Sequence, residues 1–342
     1  MLKFSFLTAA MWLSIATLAH SAETVGFRQI ELDKGAARSL PIAIWYPTDD
    51  PSKTSTVGEN SAFYGTPAVK EAAPTPGSHP LVVLSHGYGG NWRNLNWLAS
   101  DLAQQGYIVA APDHPGTTTF NKNADQAGKL WERPHDLSRV IDALMADPQL
   151  GGQIDAQRIA AIGHSLGGWT VTALAGARFD TARFEQDCKI HTSPRACSLS
   201  AELGLGNREL EKEMGDPRLG AFISLDLGLA RGFSPESLAS IDIPSLVISA
   251  GTDIGDMPAM LESGYLAQHL RKASSTYVDI PDALHFSFMQ LCKPGAAALI
   301  EEETPGDGIV CKEAGTRERE EIHREISFLV IGFLATALPI KP

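Results

Sequence analysis

Gly163-His164-Ser165-Leu166-Gly167 places a serine between two glycines, directly after the apolar run 158–163 and before the helical pattern 168–176. A sharp turn between a strand and a helix lifts such a serine above a sheet, and the glycines let the two elements pass closely. A serine hydroxyl is a weak nucleophile at neutral pH, so it needs a general base, and the base needs an orienting carboxylate. In this setting the partners follow in the order serine, acid, histidine. Of the later histidines, His191 falls in a long polar insertion and His323 lies on the last helix among charged residues. His285 is left, in Tyr277-Val-Asp-Ile-Pro-Asp-Ala-Leu-His285-Phe-Ser-Phe, just after a strand pattern. For the acid, Asp253 follows the strand pattern Pro-Ser-Leu-Val-Ile-Ser-Ala and is the first choice. Asp226, at the end of Phe-Ile-Ser-Leu-Asp, and Asp256 are the alternatives.

Acyl transfer also needs backbone N–H donors where the carbonyl oxygen turns negative. Leu166, at the start of the helix after Ser165, supplies one candidate. Tyr88, in Leu-Ser-His-Gly87-Tyr88-Gly89-Gly90-Asn, supplies the other through its main chain. His86 and His114 are read as structural. Such chemistry needs no metal or organic cofactor, and no Cys/His spacing in the chain suggests a zinc site.

The elements that must position these residues alternate. Strand patterns occupy 25–32, 40–46, 81–85, 107–111, 158–163, 221–226, 246–250 and 276–280. Helical patterns occupy 95–105, 136–146, 168–176, 257–270 and 316–338, the last with Ile322, Ile326, Leu329 and Phe333 on one face. The Pro/Gly/Ser-rich stretch 47–80 reads as a surface loop. Continuous apolar strands alternating with helices predict an α/β fold with a mostly parallel sheet covered on both faces. Residues 177–220 exceed an ordinary connection and read as an insertion that caps a pocket.

The chain has 342 residues and a net charge of −12, which argues against nucleic acid as a partner. A basic start, an apolar run over 4–18 and small residues at Ala19, Ser21 and Ala22 predict a signal peptide over residues 1–22, followed by a single domain over 23–342 with no stable membrane span. Export permits disulfides, and the four cysteines are expected to pair locally, Cys188 with Cys197 and Cys292 with Cys311.

The segments Ser-His-Gly-Tyr-Gly-Gly (85–90), Ala-Pro-Asp-His-Pro-Gly (111–116), Trp-Glu-Arg-Pro-His-Asp (131–136), Gly-His-Ser-Leu-Gly-Gly (163–168), Ile-Ser-Ala-Gly-Thr-Asp (248–253) and His-Phe-Ser-Phe-Met-Gln-Leu-Cys (285–292), followed by Cys311 and the terminal helix, together resemble the α/β-hydrolase superfamily. Within it they resemble bacterial dienelactone-hydrolase-like and platelet-activating-factor-acetylhydrolase-like serine esterases, over residues 81–338. True dienelactone hydrolases use a cysteine nucleophile, whereas this chain has Ser165. The resemblance implies an acid matching Asp226 in the acetylhydrolases and Asp253 in cutinase-like polyester hydrolases, so both stay open. It implies a serine esterase that works through an acyl-enzyme; the signal-peptide pattern makes the expected protein an exported one, periplasmic or secreted, and the insertion favours small or short-chain esters, phospholipid acyl groups included. Cutinase-like polyester hydrolysis is the alternative, and a catalytically silent binding module the alternative of another class.

Overall fold

The last residue of five neighbouring strands lies along one rim of a ten-stranded sheet, and that rim carries the candidate chemistry. The computed structural model describes residues 24–191 and 194–339. The expected signal peptide lies outside the described residues. The strands are β1 (Thr24–Leu32), β2 (Leu40–Thr48), β3 (Ser55–Val57), β4 (Thr66–Lys70), β5 (Ser78–Ser85), β6 (Ile108–Pro112), β7 (Gln153–His164), β8 (Ala221–Leu225), β9 (Ser245–Ala250) and β10 (Ser275–Ile280). Their spatial order is β10-β9-β8-β7-β5-β6-β2-β1-β4-β3. The run from β6 to β10 is parallel, while β2 pairs antiparallel with both β1 and β6.

Burial on both faces explains why the strands read as unbroken apolar runs rather than alternating ones. In β5, Leu81 and Val83 join one core while Val82 and Leu84 join the other. Helices Glu132–Ala146 and Leu166–Leu174 cover the first face through Leu137, Ile141 and Trp169. Helices Asn96–Gln104 and Arg319–Ala337 cover the second through Leu98, Leu102, Ile322 and Ile326. On the last helix the buried stripe continues through Val330 and Leu334, while Leu329 and Phe333 sit at its margin. That stripe follows an i, i+4 row, one step away from the face expected from the sequence.

Two segments differ from the sequence reading. Residues 47–80 are not only loop, because β3 and β4 extend the sheet beyond β1. β4 is five residues long, contains Pro67 and registers with β1 at only two positions, so composition hides it. The helix expected over 257–270 is a 3-10 turn, Ala259–Leu261, and a separate helix, Ser263–His269. Pro258 precedes the turn, and Glu262, at φ −117 and ψ −89, breaks the helical path between the two pieces.

Register then sets the rim. His164 pairs with Leu225 across β7 and β8, Leu225 with Ile248 across β8 and β9, and Ala250 with Ile280 across β9 and β10. The residues that follow these strand ends are therefore neighbours. In an open α/β sheet, that is where a ligand crevice forms.

Candidate active site

Ser165 follows the last residue of β7 and caps helix Leu166–Leu174 at φ 58 and ψ −122. A non-glycine residue held there stores roughly 1–3 kcal/mol of strain. The surroundings hold it: the Ser165 N–H donates to Leu225 O at 3.0 Å. The flanking glycines are obligatory on contact grounds. A Cβ at Gly163 would lie 2.0 Å from Gly167 O, and one at Gly167 would lie 1.9 Å from Ser85 O.

His285 opens the 3-10 turn His285–Phe288 beyond β10. Its Nε2 lies 3.0 Å from Ser165 Oγ and its Nδ1 lies 2.6 Å from Asp226 Oδ2. A carboxylate only accepts, so Nδ1 carries the proton and Nε2 is left to accept from the serine hydroxyl. His285 and Asp226 are 4% and 6% exposed, which removes most competing water. His164, the residue between Gly163 and Ser165, donates from Nε2 to His285 O at 2.8 Å and packs its ring against the His285 ring.

The expectation for Asp253 is corrected by this geometry. Asp226 directly follows β8, and its φ of 43 turns its carboxylate across the rim. Oδ1 accepts the Ala250 N–H at 2.9 Å, and Oδ2 is left for His285. Asp253 is exposed and closes its own turn, Oδ1 accepting the N–H groups of Gly255 and Met257 at 3.0 Å each. Asp256 meets Arg195 Nε at 2.8 Å and does not reach His285 either.

Tyr88 follows Gly87 in the loop after β5. A Cβ at Gly87 would lie 3.0 Å from Ser165 Cβ, so the loop backbone runs directly beside the serine. Among the described residues, the N–H groups of Tyr88 and Leu166 have no hydrogen-bond partner, while Gly89 donates to Thr117 O and Gly90 to Gly87 O.

Behind this loop lies a buried polar network. His86 Nδ1 donates to Gly87 O at 2.7 Å, and its Nε2 accepts the His114 N–H at 3.1 Å. Arg133, 1% exposed, donates to His86 O, to Thr117 Oγ1 at 2.6 Å and to Thr170 Oγ1 at 2.9 Å. Burial lowers the Arg133 guanidinium to about 9, against support from Asp136. Burial, with Arg133 close by, also holds His86 and His114 well below the usual imidazole range. Neither ring is on Ser165, so both belong to the scaffold of the loop. The segment 131–136 carries the resemblance quoted above, yet no spacing rule pointed to Arg133 as its brace.

Ser165 and His285 open into a cavity of about 90 Å³. At roughly 10–15 Å³ per water-sized volume, it holds a handful of heavy atoms. Leu199 and Leu203 of the insertion, with Leu229 and Met257, form apolar walls. Tyr88 Oη donates to Glu202, joining the loop after β5 to the insertion. Disulfides join Cys188 to Cys197 and Cys292 to Cys311, in the expected pairs. One further group, Glu262, lines the cavity and had no motif to announce it.

Similar proteins point the same way. A stretch of 105 residues is 30% identical to cutinase est1 of Thermobifida alba, covering 30% of this chain and 32% of the cutinase. A platelet-activating factor acetylhydrolase of Cavia porcellus is 25% identical over 186 residues, covering 39% of this chain and 43% of the relative. The chain thus spans only 32% and 43% of the length of these two curated relatives. A ferulic acid esterase from Streptomyces cinnamoneus superposes with a TM-score of 0.64 at 22% identity, covering 93% of this chain and 91% of the other, and so shares the fold. Residues 82–297, more than half of the chain and the stretch that carries Ser165, Asp226 and His285, match the model described as the alpha/beta hydrolase family, to which this chain belongs.

Proposed function

We propose that this protein is an exported serine hydrolase that cleaves small carboxylic esters through an acyl-enzyme. The observation that carries the reading is the chain Ser165 Oγ, His285 Nε2, His285 Nδ1 and Asp226 Oδ2, with links of 3.0 and 2.6 Å, at the base of the cavity. His285 takes the hydroxyl proton as Ser165 Oγ bonds to the ester carbonyl carbon. Asp226 stabilises the imidazolium that forms and keeps the ring in its working tautomer. The N–H groups of Leu166 and Tyr88 receive the oxyanion, each worth roughly 3–4 kcal/mol of barrier in comparable sites. The tetrahedral adduct collapses, the C–O bond to the alcohol breaks, and His285 returns the proton to the leaving oxygen. Water, deprotonated by the same ring, then repeats the attack and releases the acid and free Ser165.

The two disulfides fit an oxidising compartment, which supports export. Among the described residues, no helix is long and apolar enough to cross a membrane. The test is hydrolysis of p-nitrophenyl acetate and butyrate by wild type and by Ser165→Ala. The variant is expected to lose at least about a thousandfold in kcat, and equal rates would overturn the assignment.

The cutinase relatives favour a second reading, hydrolysis of a polyester at its surface. The small volume of the cavity, about 90 Å³ and walled in part by Leu199 and Leu203 of the insertion, favours soluble esters instead. Turnover of triacetin compared with release of acid from a polyester film separates the two.

A further inference from the structure

Among the described residues, Glu262 is the one acidic residue that lines the cavity shared by Ser165 and His285. It is 2% exposed. Its Oε2 accepts the Ala230 N–H at 2.7 Å, and its Oε1 accepts from Arg231 Nη1 at 3.3 Å. Arg231, itself 5% exposed, is held in turn by Asp187 Oδ2 at 2.5 Å and Leu261 O at 3.0 Å. The mechanism above does not use this pair, because Asp226 already serves His285. A carboxylate offers about four lone-pair positions. Two donors reach Glu262, so acceptor capacity is left over in a group that borders a cavity walled in part by Leu199, Leu203, Leu229 and Met257.

A plain alkyl chain seated against that carboxyl would strip its remaining solvent and offer no donor in return, which is unfavourable for a buried charged acceptor. A substrate carboxylate would meet like charge from Glu262, with Asp226 and Asp187 nearby. A hydroxyl supplies the missing donor without a charge of its own and fits within about 90 Å³. Arg195, the cation at the cavity, donates from Nε to Asp256 Oδ2 at 2.8 Å.

We propose that Glu262 is a specificity-determining residue that accepts a hydrogen bond from a hydroxyl on the bound part of the ester, making short hydroxy-substituted esters the preferred substrate class. This rests on the Ser165 esterase reading, which p-nitrophenyl acetate turnover in wild type and its loss in Ser165→Ala report separately. The test compares kcat/KM for methyl 3-hydroxybutyrate against methyl butyrate, and for 2-hydroxyethyl butyrate against propyl butyrate. Wild type is expected to favour the hydroxylated member of one pair by tenfold or more, as one hydrogen bond to a charged group gives. In Glu262→Gln the single amide oxygen is taken by Ala230 and Arg231, so the NH₂ faces the cavity and the ratio falls towards one. Glu262→Asp, a carboxylate one methylene shorter, gives an intermediate ratio. A wild-type ratio near one in both pairs overturns the proposal whether or not the variants fold, and so does a tenfold ratio that persists in Glu262→Gln.

Discussion

A carboxylate is defined as a catalytic partner by which nitrogen it touches, and here the contact at His285 Nδ1 comes from Asp226 at 2.6 Å. Asp226→Asn is therefore expected to lower kcat by about ten-thousandfold, by the tautomer argument that governs other triads. Asp253→Asn should change it by less than about threefold, and steady-state kinetics on p-nitrophenyl butyrate would distinguish the two. Ser165 and His285 could be picked out in the sequence because each follows a strong strand pattern and the chain order excludes rival histidines. The acid could not, because aspartates follow two neighbouring strands and the backbone turn that swings one of them onto the base, φ 43 at Asp226, leaves no mark in composition. Glu262 was equally silent. Its role comes from a break between two short helical pieces rather than from a motif. Burial pushes its carboxyl up to about 7, with Arg231 opposing and Asp187 and Asp226 adding to the shift. It thus becomes an ionised acceptor as pH rises through that value. The preference for hydroxylated over plain esters should grow between pH 6 and 8. Both members of a pair meet the same catalytic groups, so the ratio isolates Glu262. A ratio flat across this range would count against that ionisation.

The elements matter through the loops they anchor, and the loop that carries His285 is tied to the C-terminal helix. Arg319, the first residue of helix Arg319–Ala337, donates to Gln290 O at 3.0 Å and from Nε to Glu313 Oε1 at 2.5 Å. Glu313 also accepts from Ser287 Oγ, and Ser287 Oγ accepts the Leu284 N–H at 2.8 Å, so residues on either side of His285 are held from one direction. The Cys292–Cys311 bond closes the same region. Glu313→Ala removes the acceptor for both Ser287 and Arg319. Since a displacement of about 1 Å at a reacting group costs on the order of a hundredfold, kcat should fall roughly ten- to a hundredfold with KM nearly unchanged. Fluorophosphonate labelling of Ser165 should slow in parallel, whereas a variant that is merely less stable would keep full kcat below its Tm. The sequence made the parallel strands and the long helices plain, since apolar runs and 3.6-residue periodicity are local signals. It could not show the brace, which joins Ser287, Glu313 and Arg319 through contacts of no fixed spacing. Nor could it show β3 and β4, whose pairing with the rest of the sheet is too short to outweigh their turn-like composition.

Across the whole molecule the functional rim is underpinned by buried histidines that must stay neutral. Burial is the leading cause in each case: it holds His86, His114 and His164 well below the usual imidazole value of 6.5 and lowers His323, stacked on Trp97 at 3.7 Å, to about 3. A group whose native pKa lies below its unfolded value binds fewer protons when folded. Its contribution to stability is then complete above pH 6.5 and is lost progressively as pH falls below it. Three carboxyls act oppositely, since burial raises Glu262 to about 7, Asp113 to about 6 and Asp101 by a smaller amount. These favour the fold as pH falls towards the ordinary carboxylate range. The histidines outnumber them, so the unfolded chain binds more protons than the folded one between pH 6.5 and 5, and stability falls as the pH drops through that range. At a few degrees per kcal/mol for a domain of this size, calorimetry should find Tm lower at pH 5 than at pH 7. His323→Gln, which keeps a polar partner for Ser287 O but cannot be protonated, should flatten that dependence by about one proton. If it leaves the slope unchanged, His323 is not among the groups that make the fold acid-sensitive.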